Sequence, residues 1–370
     1  MVERMVLFDY LADRTEPMPM NTISLLLFAI ILMFSTTGNA VETNLDADEQ
    51  ILFYPSIAQR VPGETNLWRA EIRGCVFELE KRRLLVAAFR EAMELKTDEL
   101  SDAETKIFNE RARLFLVDHK RWKKVFIRLG TNEFFVGKSG ADGRFSGEIT
   151  FHLAASNDFT AVVKANDARK FSGHIMPLED EGVSVISDID DTIKVTEVRD
   201  KKAALRNTFL RKFQAVPGMA EFYQALVCSN AVVFHYISAS PWQLYEPLST
   251  FVASNGFPSG SFDLKQFRVK DRNFFSLFAS PEKYKPGVIE PLLKQFPKRK
   301  FILIGDSGER DPEIYGALAR DFPKQIKQIF IRDVTNEGAE LPRYEKAFRN
   351  VPRAKWQIFR EPSEIKVATE

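Results

Sequence analysis

The sequence predicts an α/β protein, with a parallel-sheet domain preceded by a small, mostly β, sandwich-like domain. Three observations carry this. From about residue 181 to 350, apolar β-type runs alternate with helical stretches, the pattern of βαβ units whose sheet is covered on both faces. Residues about 50 to 180 instead hold short alternating runs broken by Gly, Asp and Asn, which suits antiparallel strands. The chain has 370 residues, and at roughly 150 residues per domain it has room for about two.

Composition excludes several classes. Lys and Arg number 52 against 51 Asp and Glu, a net charge of +1, so bulk charge does not make the chain a polyanion binder. Hydrophobic residues make up 45%, which excludes wholesale disorder. Charged residues make up 28%, which excludes a polytopic membrane protein. Phenylalanine is unusually frequent, at 32 residues. Two cysteines, Cys75 and Cys228, give neither a disulfide scaffold nor a zinc knuckle, and both read as ordinary buried thiols.

The first element is an address. Ile23 to Phe34 is apolar and uncharged, but shorter than the about 20 residues a spanning helix needs. Gly38-Asn39-Ala40 then suits cleavage after Ala40. Residues 1–40 are expected to be a signal peptide or an uncleaved anchor, with the protein exported (periplasmic or secreted) or held at a membrane. The upstream segment mixes acids with Arg4 and Arg14, a poor basic region, and Met18 or Met20 is the alternative start.

The accessory domain, 50–180, follows. Trp68 to Glu80 is strand-like, and Lys81 to Arg113 is rich in helix formers. RLFLVD, KKVFIRLG, EFFVGKSG, GRFSGEITFHL and FTAVVKAN read as strands, with a turn at Ala141-Asp142-Gly143. His119, His152 and His174 have no metal-ligand spacing and read as surface or core histidines.

In the second domain, 181–350, VSVIS (183–187), AVVFHYIS (231–238), KFILIG (300–305) and IKQIFIRDV read as strands. Helices are expected to open at Pro217-Gly218, Pro241, Pro286 and Pro312. Residues 351–370 read as a C-terminal tail. Ligands in such sheets sit beyond the carboxyl ends of the strands, and those ends carry the chemistry. The first strand runs into Asp188-Ile189-Asp190-Asp191-Thr192. Two carboxylates at i and i+2 in a bend can turn to one ligand, one as nucleophile toward a phosphoryl group, the other as acid and base. Ser238 ends the second strand and can bind a phosphate oxygen. Asp306 and Asp311 follow KFILIG in GDSGERD and with Asp188 supply hard oxygen ligands for Mg²⁺. Lys285 stands just before a helix, suited to hold phosphate charge. Alone, the Asp188–Asp190 pair and GDSGERD read as turns or helix caps, and Ser238 alone signals nothing; together, at successive strand ends in one sheet class, they read as a site.

VSVISDIDDTIKVTEV, YISASPWQLYEPL, GFPSGSFDLKQF and KFILIGDSGERDPEIY resemble the haloacid dehalogenase superfamily of phosphatases. More closely, they resemble the catalytic domain of the fungal actin-patch-associated phosphatidate phosphatases and their bacterial relatives, with lipins as distant cousins. The likeness covers Glu179 to Val334. It implies a Rossmann-like parallel core and hydrolysis through an aspartyl-phosphate. It also implies roles: Asp188 as nucleophile; Asp190 as general acid/base that also touches Mg²⁺ through its backbone carbonyl; Thr192, Ser238 and Lys285 on the phosphate; Asp306, supported by Asp311, on the metal. Lys283 is the rival to Lys285.

The spacing leaves little or no cap: one helix and a turn fit between Thr192 and Ser238, and a helix, a strand and one loop between Ser238 and Lys285. An open site suits a phosphate presented on a membrane or macromolecule. The expectation is therefore a Mg²⁺-dependent phosphatase acting on phosphatidate or a similar lipid phosphate. The alternatives are a soluble phosphomonoesterase and a non-catalytic phospholipid-binding module. Basic residues interleave with aromatics in 194–213 (Lys201, Lys202, Arg206, Arg211 and Lys212 around Phe209 and Leu210) and in 265–278, a composition that could contact an anionic membrane. No nucleic-acid module is recognised, and no nucleic-acid partner is expected.

Overall fold

The computed structural model describes residues 43–79, 83–95, 100–229, 232–265, 281–338 and 340–367. The expected signal or anchor in 1–40 lies outside them, as do the basic and aromatic residues expected at the site mouth in 266–278.

Among the described residues, nine strands precede residue 180: β1 Glu49–Phe53, β2 Ser56–Arg60, β3 Leu67–Glu78, β4 Asp118–His119, β5 Lys124–Leu129, β6 Asn132–Lys138, β7 Arg144–His152, β8 Asp158–Ala161 and β9 Ser172–Leu178. Their order is β1-β3-β2-β9-β8-β5-β6, with β4 and β7 also paired to the long β3. Every pair is antiparallel except β2–β9. Trp68 and Ile72 of β3, Ile127 of β5, Phe151 of β7, Phe159 of β8 and Ile175 of β9 meet in one core, so the sheet curls round its own apolar face. Gly147 lets β7 lie against β6, since a Cβ there would sit 1.6 Å from the Val136 carbonyl oxygen.

Two helices, α1 Arg83–Ala92 and α2 Asp102–Phe115, interrupt this sheet between β3 and β4. Ser101 starts α2 with a capping box, its Oγ accepting from Glu104 N and its own N–H donating to the Glu104 carboxylate at 3.0 Å. The run RLFLVD is therefore not a strand. Its first three residues complete α2, because Phe108, Ala112 and Phe115 form the buried stripe of a helix. That stripe packs with Phe209, Tyr223 and Phe234, on the far side of the residue-180 boundary.

The second sheet is parallel throughout, in the order β12-β11-β10-β13-β14-β15. The strands are β10 Val183–Asp188, β11 Val233–Pro241, β12 Gly260–Lys265, β13 Lys300–Asp306, β14 Ile326–Arg332 and β15 Trp356–Phe359. The helices are α3 Lys201–Phe209, α4 Met219–Ser229, α5 Tyr245–Ser254, α6 Pro281–Gln295, α7 Asp311–Asp321 and α8 Pro342–Ala347. Alternate residues serve opposite faces: Val185 and Ile302 join the core shared with α1–α5, while Ile186 and Leu303 join the core under α6–α8.

Three expectations are corrected here. Residues 351–370 are not a tail: β15 pairs in parallel with β14, and Trp356 stacks on Phe348 at 4.7 Å. Helix α6 begins at Pro281 rather than Pro286 and contains both Pro286 and Pro291. It extends upstream because Lys285 is fully buried and ion-paired there. Cys228 is exposed, because α4 turns Met219, Tyr223 and Leu226 to the core and position 228 away from it.

Candidate active site

All six parallel strands deliver their carboxyl ends to one edge, and the buried polar residues collect there. Asp188 ends β10 and is 1% exposed. Thr192, one turn on, donates its hydroxyl to Asp188 Oδ2 at 3.1 Å. Lys285 of α6 reaches the same carboxylate from the other side, with Nζ 2.8 Å from Asp188 Oδ1, 2.5 Å from Asp311 Oδ1 and 3.1 Å from Glu309 Oε2. Asp306 ends β13 and accepts from the backbone N–H groups of Gly308 at 2.6 Å and Glu309 at 3.3 Å. Asp311 opens α7, and its Oδ2 accepts from Asp306 N at 3.3 Å. This approach requires glycine at 305, where a Cβ would lie 2.2 Å from Asp311 Oδ2.

Asp190 turns elsewhere. Its Oδ2 accepts from Ser238 at 2.7 Å and Ser240 at 2.8 Å. Its Oδ1 accepts from Thr196 at 2.8 Å and pairs with Lys194 Nζ at 2.8 Å. Ser238, expected on a phosphate, thus donates to Asp190. The next residue, Asp191, has φ +58° and folds the loop back. Its carboxylate accepts from the N–H groups of Thr196, Glu197 and Val198 at 2.7–2.8 Å, and its carbonyl accepts from Arg332 at 2.7 Å.

The electrostatics follow from burial and neighbours. Burial raises the Asp188 carboxyl well above its ordinary value; Lys285 opposes this, while Asp311, Glu309 and Asp190 reinforce it. Asp306 is likewise raised, by burial and then by Asp311 and Asp188. Burial alone would lower Lys285, but the three acids around it hold its ammonium well above the usual range. Burial would also raise Asp190, but Lys194 and the hydroxyls of Ser238 and Ser240 outweigh it and hold that carboxyl below its usual range.

The first cluster fits a divalent cation. Asp188, Asp306 and Asp311 each offer a carboxylate oxygen, and these atoms lie within 4.8 Å of one another. Asp306 Oδ2 and Asp188 Oδ1 are buried without a hydrogen-bond donor; Lys285 lies within ion-pair distance of the latter, outside hydrogen-bonding geometry. One lysine faces four buried or nearly buried carboxylates, counting Glu309, so the pocket holds surplus negative charge. Hard oxygen donors of this kind suit Mg²⁺. The Asp190 side chain is not among them.

Residues 183–333 match the family described as phosphatidate phosphatase APP1, catalytic domain. The likeness is confined to this segment, which carries the site described above. A phosphatidate phosphatase APP1 from Saccharomyces cerevisiae is 40% identical over 173 residues, 46% of this chain and 29% of the yeast protein. An uncharacterized protein of Schizosaccharomyces pombe is 32% identical over 200 residues, 53% of this chain and 31% of that protein. The chain thus spans about a third of the length of these relatives. A solved structure assigned as a Thermotoga maritima beta-phosphoglucomutase overlaps 49% of this chain and 95% of its own at TM-score 0.28 and 14% identity, too loosely to establish a common fold.

Within the matched segment, Asp188, Thr192, Lys285, Asp306 and Asp311 converge, and Asp190 and Ser238 form a second group beside them. The Lys283 side chain lies outside the described residues. Lys194 and Thr196 are central to the second group, yet in the sequence Lys194 reads as the start of a basic stretch. Glu309 was present in GDSGERD without a role. Arg343 lies outside the matched segment. It holds the Asp306–Asp311 loop by donating to Ser307 O at 2.6 Å and Glu309 O at 2.5 Å while paired with Glu313. Phe209 and Leu210, set among basic residues that could contact a membrane, are fully buried as ordinary core residues.

Proposed function

We propose that the chain is a Mg²⁺-dependent phosphomonoester phosphatase with a haloacid dehalogenase-type core, acting on phosphatidate to give diacylglycerol. The observation that carries this reading is the Asp188 carboxylate at a parallel strand's end, held between Thr192 and Lys285, with Asp190 two residues on. The family name and the yeast relative support the substrate class.

The Asp188 carboxylate attacks phosphorus, and the bond to the leaving alcohol breaks as its oxygen takes a proton from Asp190. Asp190 then takes a proton from the water that attacks the aspartyl-phosphate, freeing inorganic phosphate and restoring Asp188. In the free site Lys194, Ser238 and Ser240 favour the ionised Asp190, so the arriving phosphate dianion must raise its proton affinity before the first step. Lys285 steadies Asp188 and offers positive charge to the phosphoryl oxygens. Mg²⁺ held by Asp188, Asp306 and Asp311 would neutralise further charge there. The segment between Thr192 and Ser238 supplies α3 and α4, both packed into the core, which suits an open site.

The test is phosphate release by the full chain from phosphatidate in mixed micelles and from a soluble aryl phosphate, with Mg²⁺ or with chelator. We expect Mg²⁺-dependent turnover of phosphatidate that Asp188→Asn abolishes. Turnover of the aryl phosphate alone would remove the lipid from the reading. Lipid binding without turnover of either would replace the enzyme by a binding module.

A further inference from the structure

The β5–β6 hairpin carries an exposed face that the catalytic site does not use. Its inward residues, Val125, Ile127, Leu129 and Val136, belong to the β-sheet core. Its outward residues pair across the strands as Lys124 with Lys138, Phe126 with Phe135, and Arg128 with Glu133. Arg128 and Glu133 form an ion pair. The Phe126 and Phe135 rings meet at 4.9 Å, yet Phe135 remains 52% exposed. Lys124 and Lys138 are like charges directly opposite each other, an arrangement that destabilises a ladder. Neither has an acidic partner among the described residues. Both stand exposed beside the aromatic pair.

The turn into this hairpin adds to the face. Trp122 is 66% exposed and sits in the left-handed region at φ +65°, a rare conformation for a bulky residue. Arg121 beside it is exposed and also lacks an acidic partner among the described residues. A short chain of contacts links the turn to the site. His119, three residues earlier, packs on Trp242 at 5.9 Å. Ser240, two residues before Trp242, donates to Asp190.

We infer that Trp122, Phe126 and Phe135, flanked by Arg121, Lys124 and Lys138, form a docking surface for an anionic lipid bilayer. Aromatic rings settle at the headgroup level of a membrane, and each nearby basic residue adds attraction to anionic lipid. Such a lipid surface would relieve the Lys124–Lys138 repulsion and cover the exposed rings. The proposal rests on the lipid-phosphate reading above, since docking through a surface linked to the site by His119 and Trp242 would bring the enzyme to its substrate.

The experiment uses the full chain and vesicles of phosphatidylcholine with brominated phosphatidylglycerol, which contain no phosphatidate. Of the four tryptophans, Trp68 and Trp242 are buried, Trp356 is half-buried with its ring covered by Phe348 and Arg353, and none lies in residues 1–42. Trp122 is thus the reporter expected to meet the bromine. We expect quenching that Trp122→Phe removes, and an apparent affinity that Lys124→Glu with Lys138→Glu weakens by at least about tenfold. Hydrolysis of a water-soluble short-chain phosphatidate should stay unchanged in these variants. Absent quenching, or quenching equally strong on neutral brominated phosphatidylcholine, overturns the proposal. So does concentration-dependent self-association that the same variants abolish in place of quenching, which would make a second copy the occupant. Failure of the catalytic reading would appear separately, as quenching without turnover.

Discussion

Lys285 decides how the site tolerates its own charge. It is fully buried with Asp188, Asp311 and Glu309 around it and Asp306 close by. Removing one acid relieves repulsion, whereas removing the lysine leaves uncompensated buried carboxylates, at a cost of about 3–5 kcal/mol. In Mg²⁺-free urea unfolding, Asp188→Asn should therefore be as stable as the parent or more so, and Lys285→Met much less stable. Turnover should fall at least about 10³-fold in Asp188→Asn. Equal destabilisation by the two variants would show that Lys285 does not balance this cluster. The positions of Asp188 and Asp306 could be read from the sequence because apolar strands announce the ends they occupy, and Asp190 and Asp311 follow them within five residues. Lys194 could not, since nothing local distinguishes a buried lysine from the solvated ones that follow it. The direction of the Ser238 hydroxyl was equally hidden, because it depends on Asp190, which lies 48 residues away in the chain.

At the scale of elements, β11 is tied to both neighbours through His235. Its Nδ1 lies 2.8 Å from Ser261 Oγ of β12, and its Nε2 3.1 Å from Ser184 Oγ of β10. Arg299 Nε donates to the same Ser184. Burial, and then the Arg299 charge, push the imidazole from 6.5 down to about 3. Between those two values the unfolded chain binds the proton and the folded one does not. His235 thus makes stability fall as pH drops from 6.5 toward 3, by up to about 1.4 kcal/mol per pH unit. Comparing the unfolding free energy of the parent and His235→Asn across that window should show a shallower slope in the variant. Parallel slopes would mean that His235 is not held neutral by the fold. The strands that were readable, such as KFILIG, are long apolar runs buried on both faces. Trp356–Phe359 was not readable, because a four-residue edge strand leaves too short a pattern. RLFLVD misled because the apolar end of a helix and a short strand share one local composition.

At the scale of the molecule, the two sheets are not independent. Helices α1 and α2 arise within the β sheet's sequence but pack on α3 and α4. Phe115 meets Phe209 at 5.3 Å, and Arg111 donates to the Thr208 carbonyl with its guanidinium 3.9 Å over the Phe213 ring. A second seam joins Tyr54, Cys75 and Phe77 to Trp242, and Arg73 pairs with Asp263 at 3.1 Å. None of these contacts is visible as a local pattern, which is why composition alone suggests two separable domains. Shared cores of this kind couple unfolding, since opening either sheet exposes apolar surface belonging to the other. The full chain should therefore unfold in urea as one transition, with tryptophan fluorescence and far-ultraviolet circular dichroism giving the same midpoint. Phe115→Ala should lower that common midpoint, at a cost of about 3–5 kcal/mol. The informative pair is Trp68, in the β-sheet core, and Trp242, beside the site. With Trp122 and Trp356 also replaced by Phe, substituting either of the pair leaves the other to report, and both reports should move together when Phe115 is truncated. Two separated transitions, with only the Trp242 signal following Phe115→Ala, would instead make the β sheet an autonomous unit that folds without the site it adjoins.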